Sequence, residues 1–302
     1  MSILITGATG FVGKNFIRMM LKSGYESKDM ILVVSKPDQA LETAGFRLLV
    51  HKNYTYSSEE LKALLKPAER IDTVIHLGAL TPKGTGSDET ADYEENVRTT
   101  KHLLETLPGD LDRFLFGSSV SVYNMDESTT DGRYGASKRA CEEILKNNLP
   151  DTELWLLRFG SIYGPGEEAY QKIAGTFLKK AMAGEDIYLR GDGSAVRHMV
   201  YVDDLCREII RILKQAPKPD SGSHTLDIVN ETPVTIRELA DWAVEITQNS
   251  SKIHTETQAV KRSALPQTET ALKDNEEKSA ERTRISYREG MQQLYHYLKE
   301  QS

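Results

Sequence analysis

The chain has 302 residues, 39% of them hydrophobic and 27% charged, with a formal net charge of −7 at neutral pH. This fits a globular enzyme with one large core and a smaller companion portion, and the acidic balance argues against a general nucleic-acid binder. No run reaches the ~20 apolar residues of a membrane span, no leader pattern precedes the first strand, and the isolated Cys141 and Cys206 offer neither metal spacing nor a disulfide framework. The expectation is a cytoplasmic protein with reduced, half-buried thiols and no metal site.

In chain order the hydrophobic pattern predicts a strand over Ser2–Thr6, a helix over Phe11–Ser23, strands over Met30–Ser35 and Phe46–His51, and a helix over Ser58–Leu65. A strand over Thr73–Leu77, a helix over Glu89–Leu107, a strand over Arg113–Ser118, a helix over Tyr134–Asn147 and a strand over Glu153–Phe159 follow. This alternation implies an α/β fold with a Rossmann-type, doubly wound parallel sheet whose Val/Ile/Leu-rich strands are buried on both faces. Beyond Gly160 the regularity loosens. Helices are expected over Glu167–Ala183, Val202–Lys214, Thr235–Thr247 and Tyr287–Lys299, with short strands near Ile187–Leu189, Arg197–Val200 and Thr225–Val229. Ser251–Arg284 is polar and reads either as a solvated irregular segment or as a lid. The expected organisation is a dinucleotide-binding domain over residues 1–160, joined by elements from about 196–230, and a mainly substrate-binding α/β portion over 161–302.

The loop Gly7-Ala8-Thr9-Gly10-Phe11-Val12-Gly13 lies between the first strand and the first helix. That setting turns a glycine triplet into a dinucleotide site. Gly7 makes the tight turn, Gly10 admits the pyrophosphate, and Gly13 permits close helix–sheet packing, while the helix end faces the phosphates. Gly7, Thr9, Gly10, Phe11 and Val12 are the expected contacts. The second strand runs into Ser35-Lys36-Pro37 in place of an acid, with Asp38 beyond the proline. A hydroxyl and an ammonium suit a 2′-phosphate better than a bare diol, which tilts the expected cofactor from NAD toward NADP.

Tyr134 and Lys138 stand four apart, on one face of a helix. An ammonium beside a phenol favours the phenolate and prepares the tyrosine for proton transfer in alcohol–ketone chemistry. Tyr295 and Lys299 repeat the spacing on a helix read as surface, so the pair acquires meaning only from its surroundings.

Six further patterns supply them: His76-Leu77-Gly78-Ala79, Asn96-Val97-Arg98-Thr99-Thr100, Ser118-Ser119-Val120-Ser121-Val122-Tyr123, Tyr134-Gly135-Ala136-Ser137-Lys138, Leu157-Arg158-Phe159-Gly160-Ser161-Ile162-Tyr163-Gly164-Pro165-Gly166 and Arg197-His198-Met199-Val200-Tyr201-Val202-Asp203-Asp204. With the glycine loop, this series resembles the extended short-chain dehydrogenase/reductase family, in its NAD-dependent epimerase/dehydratase group. The resemblance implies that Ser119 bonds the reacting sugar hydroxyl or carbonyl. It implies that Tyr134 shuttles the proton, and that Lys138 holds the nicotinamide ribose and keeps the Tyr134 pKa low. Leu77, Gly78, Ala79, Phe159 and Ile162 are then expected along the cofactor, with Asn53 near its adenine. Thr81, Ser119, Ser161 and Arg197 are expected at the substrate, Arg197 on its diphosphate. His76 reads as a strand-end residue, Asn96 as a structural one, and Asp203-Asp204 as a helix start.

Three departures bear on substrate. Only ten residues, Asn124–Arg133, separate Tyr123 from Tyr134; Ser161 stands where an asparagine is usual; and no Asp-Glu pair accompanies Ser119, Asp126-Glu127 coming seven residues later. The last argues against a 4,6-dehydratase. The resemblance implies a nucleotide-sugar epimerase, with an NADPH-dependent reductase of a 4-keto sugar or another carbonyl compound as the close alternative. A non-catalytic cofactor sensor is the reading from another class. A homodimer is expected through the helices carrying Asn96 and Tyr134.

Overall fold

Ile3–Thr6 forms the first strand, β1, with every residue buried. In the computed structural model the described residues are 2–51, 56–67, 69–82, 93–107, 110–167, 171–218, 222–230, 232–256 and 285–301. After β1 come α1 (Phe11–Lys22), β2 (Met30–Val34), α2 (Gln39–Thr43), β3 (Arg47–Val50), α3 (Ser58–Lys62), β4 (Thr73–His76) and α4 (Glu94–Thr106). Then follow β5 (Arg113–Ser119), a 3-10 turn (Val120–Tyr123), α5 (Thr130–Asn148), β6 (Glu153–Phe159), β7 (Ser161–Tyr163), α6 (Ile173–Met182), β8 (Ile187–Leu189), β9 (Val196–Arg197) and β10 (Met199–Tyr201). The chain closes with α7 (Val202–Leu213), β11 (Ser223–Ile228), β12 (Val234–Thr235), α8 (Ile236–Thr247), β13 (Ile253–Thr255) and α9 (Tyr287–Glu300).

Seven strands form one sheet in the order β11-β6-β5-β4-β1-β2-β3. β1 lies parallel between β2 and β4, with Ile3 opposite both Met30 and Thr73, and β3 and β5 extend the sheet in parallel on either side. The strands β1, β2, β4 and β5 are buried at every position, as expected of a sheet covered on both faces. The strand order reverses at β1, and the carboxyl ends flanking such a switch point are where these sheets bind ligands.

The described residues fall into two compact units. The first holds the described residues up to Pro82, then Tyr93–Arg158 and Cys206–Leu226, with a core that includes Leu4, Ile31, Val74, Phe114, Leu145 and Leu156. The second holds Phe159–Leu205 and the described residues from Asp227 onward, with a core that includes Tyr163, Leu178, Met199, Leu239, Met291 and Leu294. In that second core the Tyr163 hydroxyl sits where a side chain on Gly290 would go: a Cβ there would lie 2.2 Å from it. Asp204 accepts a hydrogen bond from the Ile285 amide (3.0 Å), which fixes the chain just ahead of α9.

Most boundaries agree with the sequence pattern, and the differences have local causes. α5 starts at Thr130 rather than Tyr134, because Thr129 caps it by accepting from the Gly132 amide at 3.0 Å. α6 starts at Ile173 rather than Glu167. Gly164 and Gly166 hold left-handed backbone angles (φ 135° and 94°), and the buried Glu167 side chain is spent on the amides of Gly164 and Gly175. The strand expected over Arg197–Val200 is two short strands, β9 and β10, separated at His198. Within the expected polar stretch, β13 pairs in parallel with β8; the rest of it, 257–284, and the expected helical residues 89–92 lie outside the described residues. Cys141 and Cys206 are fully buried, not half-buried. Among the described residues, no helix is long and apolar enough to cross a membrane.

Candidate active site

Three strand ends of the first unit, those of β1, β4 and β5, come to one edge of the sheet and carry most of the expected residues. Gly7 follows β1 with φ 72°, and a Cβ on it would stand 2.6 Å from the Gly78 nitrogen and 2.7 Å from the Leu77 carbonyl carbon. Only glycine permits this approach of the loop to the chain leaving β4. The Gly10 amide closes the turn on the Gly7 carbonyl (3.0 Å). Gly13 serves a purpose different from the expected helix–sheet packing: its missing side chain makes room for the loop itself, the Gly7 carbonyl lying 2.1 Å from where a Cβ would be. Gly10 provides no side-chain cap for α1, and no acid occupies the helix's first turn. The first turn of α1 thus sets no carboxylate of its own at the positive helix end, an arrangement that fits a pyrophosphate. Thr9 is exposed, Val12 half-buried and Phe11 buried.

A line of buried hydrogen bonds fixes the facing segment Leu77–Leu80. The Gly78 amide donates to Thr6 Oγ1 (3.0 Å), which pairs with His76 Nδ1 (2.6 Å); His76 Nε2 in turn meets Thr100 Oγ1 (3.1 Å). Asn96 then holds both backbone groups of Leu80, accepting from its amide (2.7 Å) and donating to its carbonyl (3.1 Å), the structural task expected of it. Burial, reinforced by the charge of Lys138, lowers the His76 pKa to about 3, so the imidazole is neutral and acts as a strut. Beyond β2, Ser35 and Lys36 are exposed, while Asp38 is occupied as the cap of α2, accepting from the amides of Ala40 and Leu41. Asn53 lies outside the described residues.

Ser119 ends β5 and is 9% exposed; its Oγ accepts from the Ser121 amide and donates to Ser121 Oγ, both at 3.1 Å. Tyr134 and Lys138 lie buried on α5. The Tyr134 ring packs edge-on against Tyr93, with centroids 5.5 Å apart. Lys138 Nζ donates to the Gly117 carbonyl (2.7 Å) and sits 4.6 Å from the Phe116 ring centroid and 5.9 Å from that of Tyr134. Burial lowers the Lys138 pKa to about 8.

The expectation that Lys138 keeps the Tyr134 pKa low is overturned. Burial first, then the charges of Asp131, Tyr93 and Cys141, push the Tyr134 phenol well above its ordinary value. The ammonium is turned to a backbone carbonyl and lies over rings. One turn past Lys138, the buried Glu142 takes Ser118 Oγ (2.6 Å) and two nitrogens of Arg158 (2.9 and 2.7 Å), and Arg158 reaches the Tyr123 hydroxyl (2.8 Å). This clamp joins β5, the 3-10 turn, α5 and β6. Sequence reasoning missed it, although Glu142 stands one helical turn from Lys138.

Thr81, also in the first unit, is exposed. Phe159, Ser161, Ile162 and Arg197 belong to the second unit. Phe159 is buried at the end of β6. The Ser161 amide donates to the His198 carbonyl (2.9 Å), and Ile162 pairs with Val200 across β7–β10. Arg197 is exposed on β9, with Nη1 on the Val196 carbonyl (2.8 Å). The twin pair Tyr295–Lys299 sits on α9; Lys299 is exposed, but Tyr295 is half-buried against the second core, so the pair is not wholly on the surface as expected.

The chain is 28% identical over 276 residues to a dTDP-4-dehydro-6-deoxy-D-allose reductase of a Streptomyces species, covering 83% of each chain. It is 27% identical over 251 residues to a UDP-glucose 4-epimerase of Erwinia amylovora, covering 70% of this chain and 73% of the other. Among solved structures, the UDP-glucose 4-epimerase of Thermotoga maritima superposes with a TM-score of 0.76 at 20% identity, covering 100% of this chain and 99% of the other. At that identity the likeness speaks to the fold. The description of the NAD-dependent epimerase/dehydratase family matches residues 3–226, and the chain belongs to that family of enzymes.

Proposed function

We propose that the enzyme reduces the keto group of a nucleotide-linked sugar, with NADPH preferred over NADH. The observation that carries this reading is the likeness of the chain, over 83% of its length, to a dTDP-4-dehydro-6-deoxy-D-allose reductase, beside a Tyr134 phenol that burial holds above its ordinary pKa. A phenol that holds its proton is poised to donate to a carbonyl oxygen rather than to strip a hydroxyl. The dinucleotide, when bound, supplies the hydride that goes to the carbonyl carbon. Tyr134 gives the proton to the oxygen, so that the ketone becomes an alcohol. Gly7, Gly10 and the start of α1 hold the pyrophosphate. Lys138, charged below its pKa of about 8, holds the nicotinamide ribose. Leu77, Gly78 and Ala79 line the cofactor, while Ser119 and Thr81 receive the sugar nucleotide. Ser35 and Lys36 take the 2′-phosphate, the nearby carboxylate of Asp38 being committed to its helix cap.

The test is consumption of NADPH, followed at its nicotinamide absorbance, with dTDP-4-dehydro-6-deoxy-D-allose or a related 4-keto sugar nucleotide. Turnover faster with NADPH than with NADH is expected; no consumption of either would overturn the reading. Epimerisation through transient oxidation is the second reading, favoured by the sequence likeness to a UDP-glucose 4-epimerase. It is distinguished by conversion of UDP-glucose to its epimer with no net change in cofactor.

A further inference from the structure

Ser119 and Tyr134 are tied together by two residues for which the proposed chemistry has no task, Ser121 and Asp131. Ser121 Oγ lies 2.6 Å from Asp131 Oδ1, and Ser119 Oγ lies 3.1 Å from Ser121 Oγ. An ionised carboxylate only accepts, so the single Ser121 proton goes to Asp131. The Ser121 oxygen can then only accept, and what it accepts is the Ser119 proton. The other Asp131 oxygen receives Asn124 Nδ2 (3.0 Å), which holds the carboxylate at both ends. Asp131 is open to solvent on its outer side, whereas Ser119, Ser121 and Asn124 are all at least nine-tenths buried, so little water competes along the line.

Backbone packing sets the spacing. A Cβ on Gly135 would stand 2.0 Å from the Ser121 carbonyl oxygen, and one on Gly132 1.9 Å from that of Asp126. Two glycines thus bring the first turns of α5 against the 3-10 turn and the loop after it, and the short connection Asn124–Thr129 leaves Asp131 within reach of Ser121.

We propose that Asp131 is a positioning residue that, acting through Ser121, turns the Ser119 proton inward, so that Ser119 meets the substrate as a hydrogen-bond acceptor. A ketone oxygen has no proton to give such a group, whereas a sugar hydroxyl has one. Ser119 therefore selects a substrate with a hydroxyl beside the reacting centre, and Tyr134 is left as the proton donor to the carbonyl. This inference rests on the reading of Ser119 as a substrate contact in the reductase proposed above.

The experiment is a double-mutant cycle on Asp131→Asn and Ser121→Ala with dTDP-4-dehydro-6-deoxy-D-allose and NADPH. An amide at position 131 can donate as well as accept and so releases the fixed polarity of the line. Asp131→Asn is expected to raise KM roughly tenfold, the scale of one hydrogen bond to a charged group, with kcat within about twofold and NADPH affinity unchanged. In the Ser121→Ala background the same change should have almost no further effect. Equal effects in both backgrounds, or a loss confined to kcat, would overturn the relay. An arm independent of turnover follows the backbone amide at position 121, which donates to Ser119 Oγ, by nitrogen-15 NMR. Asp131→Asn should move its shift in the wild-type background and leave it in place in the Ser121→Ala background; an equal move in both overturns the relay. Wild-type protein inert toward keto sugars but showing this coupling would sink the reductase reading and leave the relay standing.

Discussion

Tyr134 and His76 are both buried and both keep one protonation state, and each can be tested by removing a single group. Tyr134→Phe deletes the hydroxyl and keeps the ring against Tyr93. Turnover should fall by at least about a hundredfold, the scale of a general acid, while dinucleotide affinity measured by fluorescence stays within about twofold. Undiminished turnover would remove Tyr134 from the chemistry. For His76 the consequence is one of stability. In the unfolded chain its imidazole takes a proton below about 6.5, and in the folded chain not until about 3. Between those values the unfolded state binds more protons, so stability falls as the pH drops through that window. His51, lowered by burial and by His102, acts in the same direction. Glu69 adds to the loss only below its ordinary 4.5 and down to about 2: burial opposes its ionisation, but hydrogen bonds from the Lys66 amide and Ser2 and the ion pair with Arg47 outweigh it. His76→Gln should therefore be less stable at neutral pH yet lose less Tm between pH 6.5 and 4.5 than the wild type.

At the scale of elements, α5 holds the site by touching its neighbours at backbone distance. Gly135→Ala would force α5 away from the 3-10 turn; we expect about 1–3 kcal/mol of lost stability, read from denaturant midpoints, and a larger loss in turnover than in cofactor affinity. Glu142→Ala would leave the Arg158 guanidinium without its carboxylate, at a cost of about 3–5 kcal/mol, since the pair is largely buried. These contacts mark what the sequence could and could not convey. The strands were legible because burial on both faces writes unbroken Val, Ile and Leu runs. The glycine loop was legible because its spacing follows from the turn it makes. The start of α5 was not, since the cap at Thr129 competes with the more conspicuous Tyr134. The Tyr134–Lys138 spacing put both residues on one helix but said nothing of the Gly117 carbonyl that takes the ammonium. Ser121 and Asp131 carried no signal at all, because their partnership exists only once two glycines let α5 approach the turn.

For the whole molecule, each unit has its own core and answers to its own perturbation. A dinucleotide that binds the folded state stabilises it by about 2.7 kcal/mol at a hundred times its Kd. NADPH should therefore raise the unfolding temperature more than NADH at equal concentration, and the reverse order would shift the preference to NAD. In the second unit, Leu294→Ala should cost about 2–5 kcal/mol through a core cavity, with dinucleotide affinity retained. The notch at Gly290 that receives Tyr163 bears on how the protein is made. During synthesis the ribosome releases β7 long before α9, so the Tyr163 ring waits without its lid until α9 has been translated. The first sheet waits too, because its edge strand β11 is read out only after β7 through β10 and α7. The second core cannot close before α9, and nascent chains halted before residue 285 should expose apolar surface and depend on chaperones until that helix emerges.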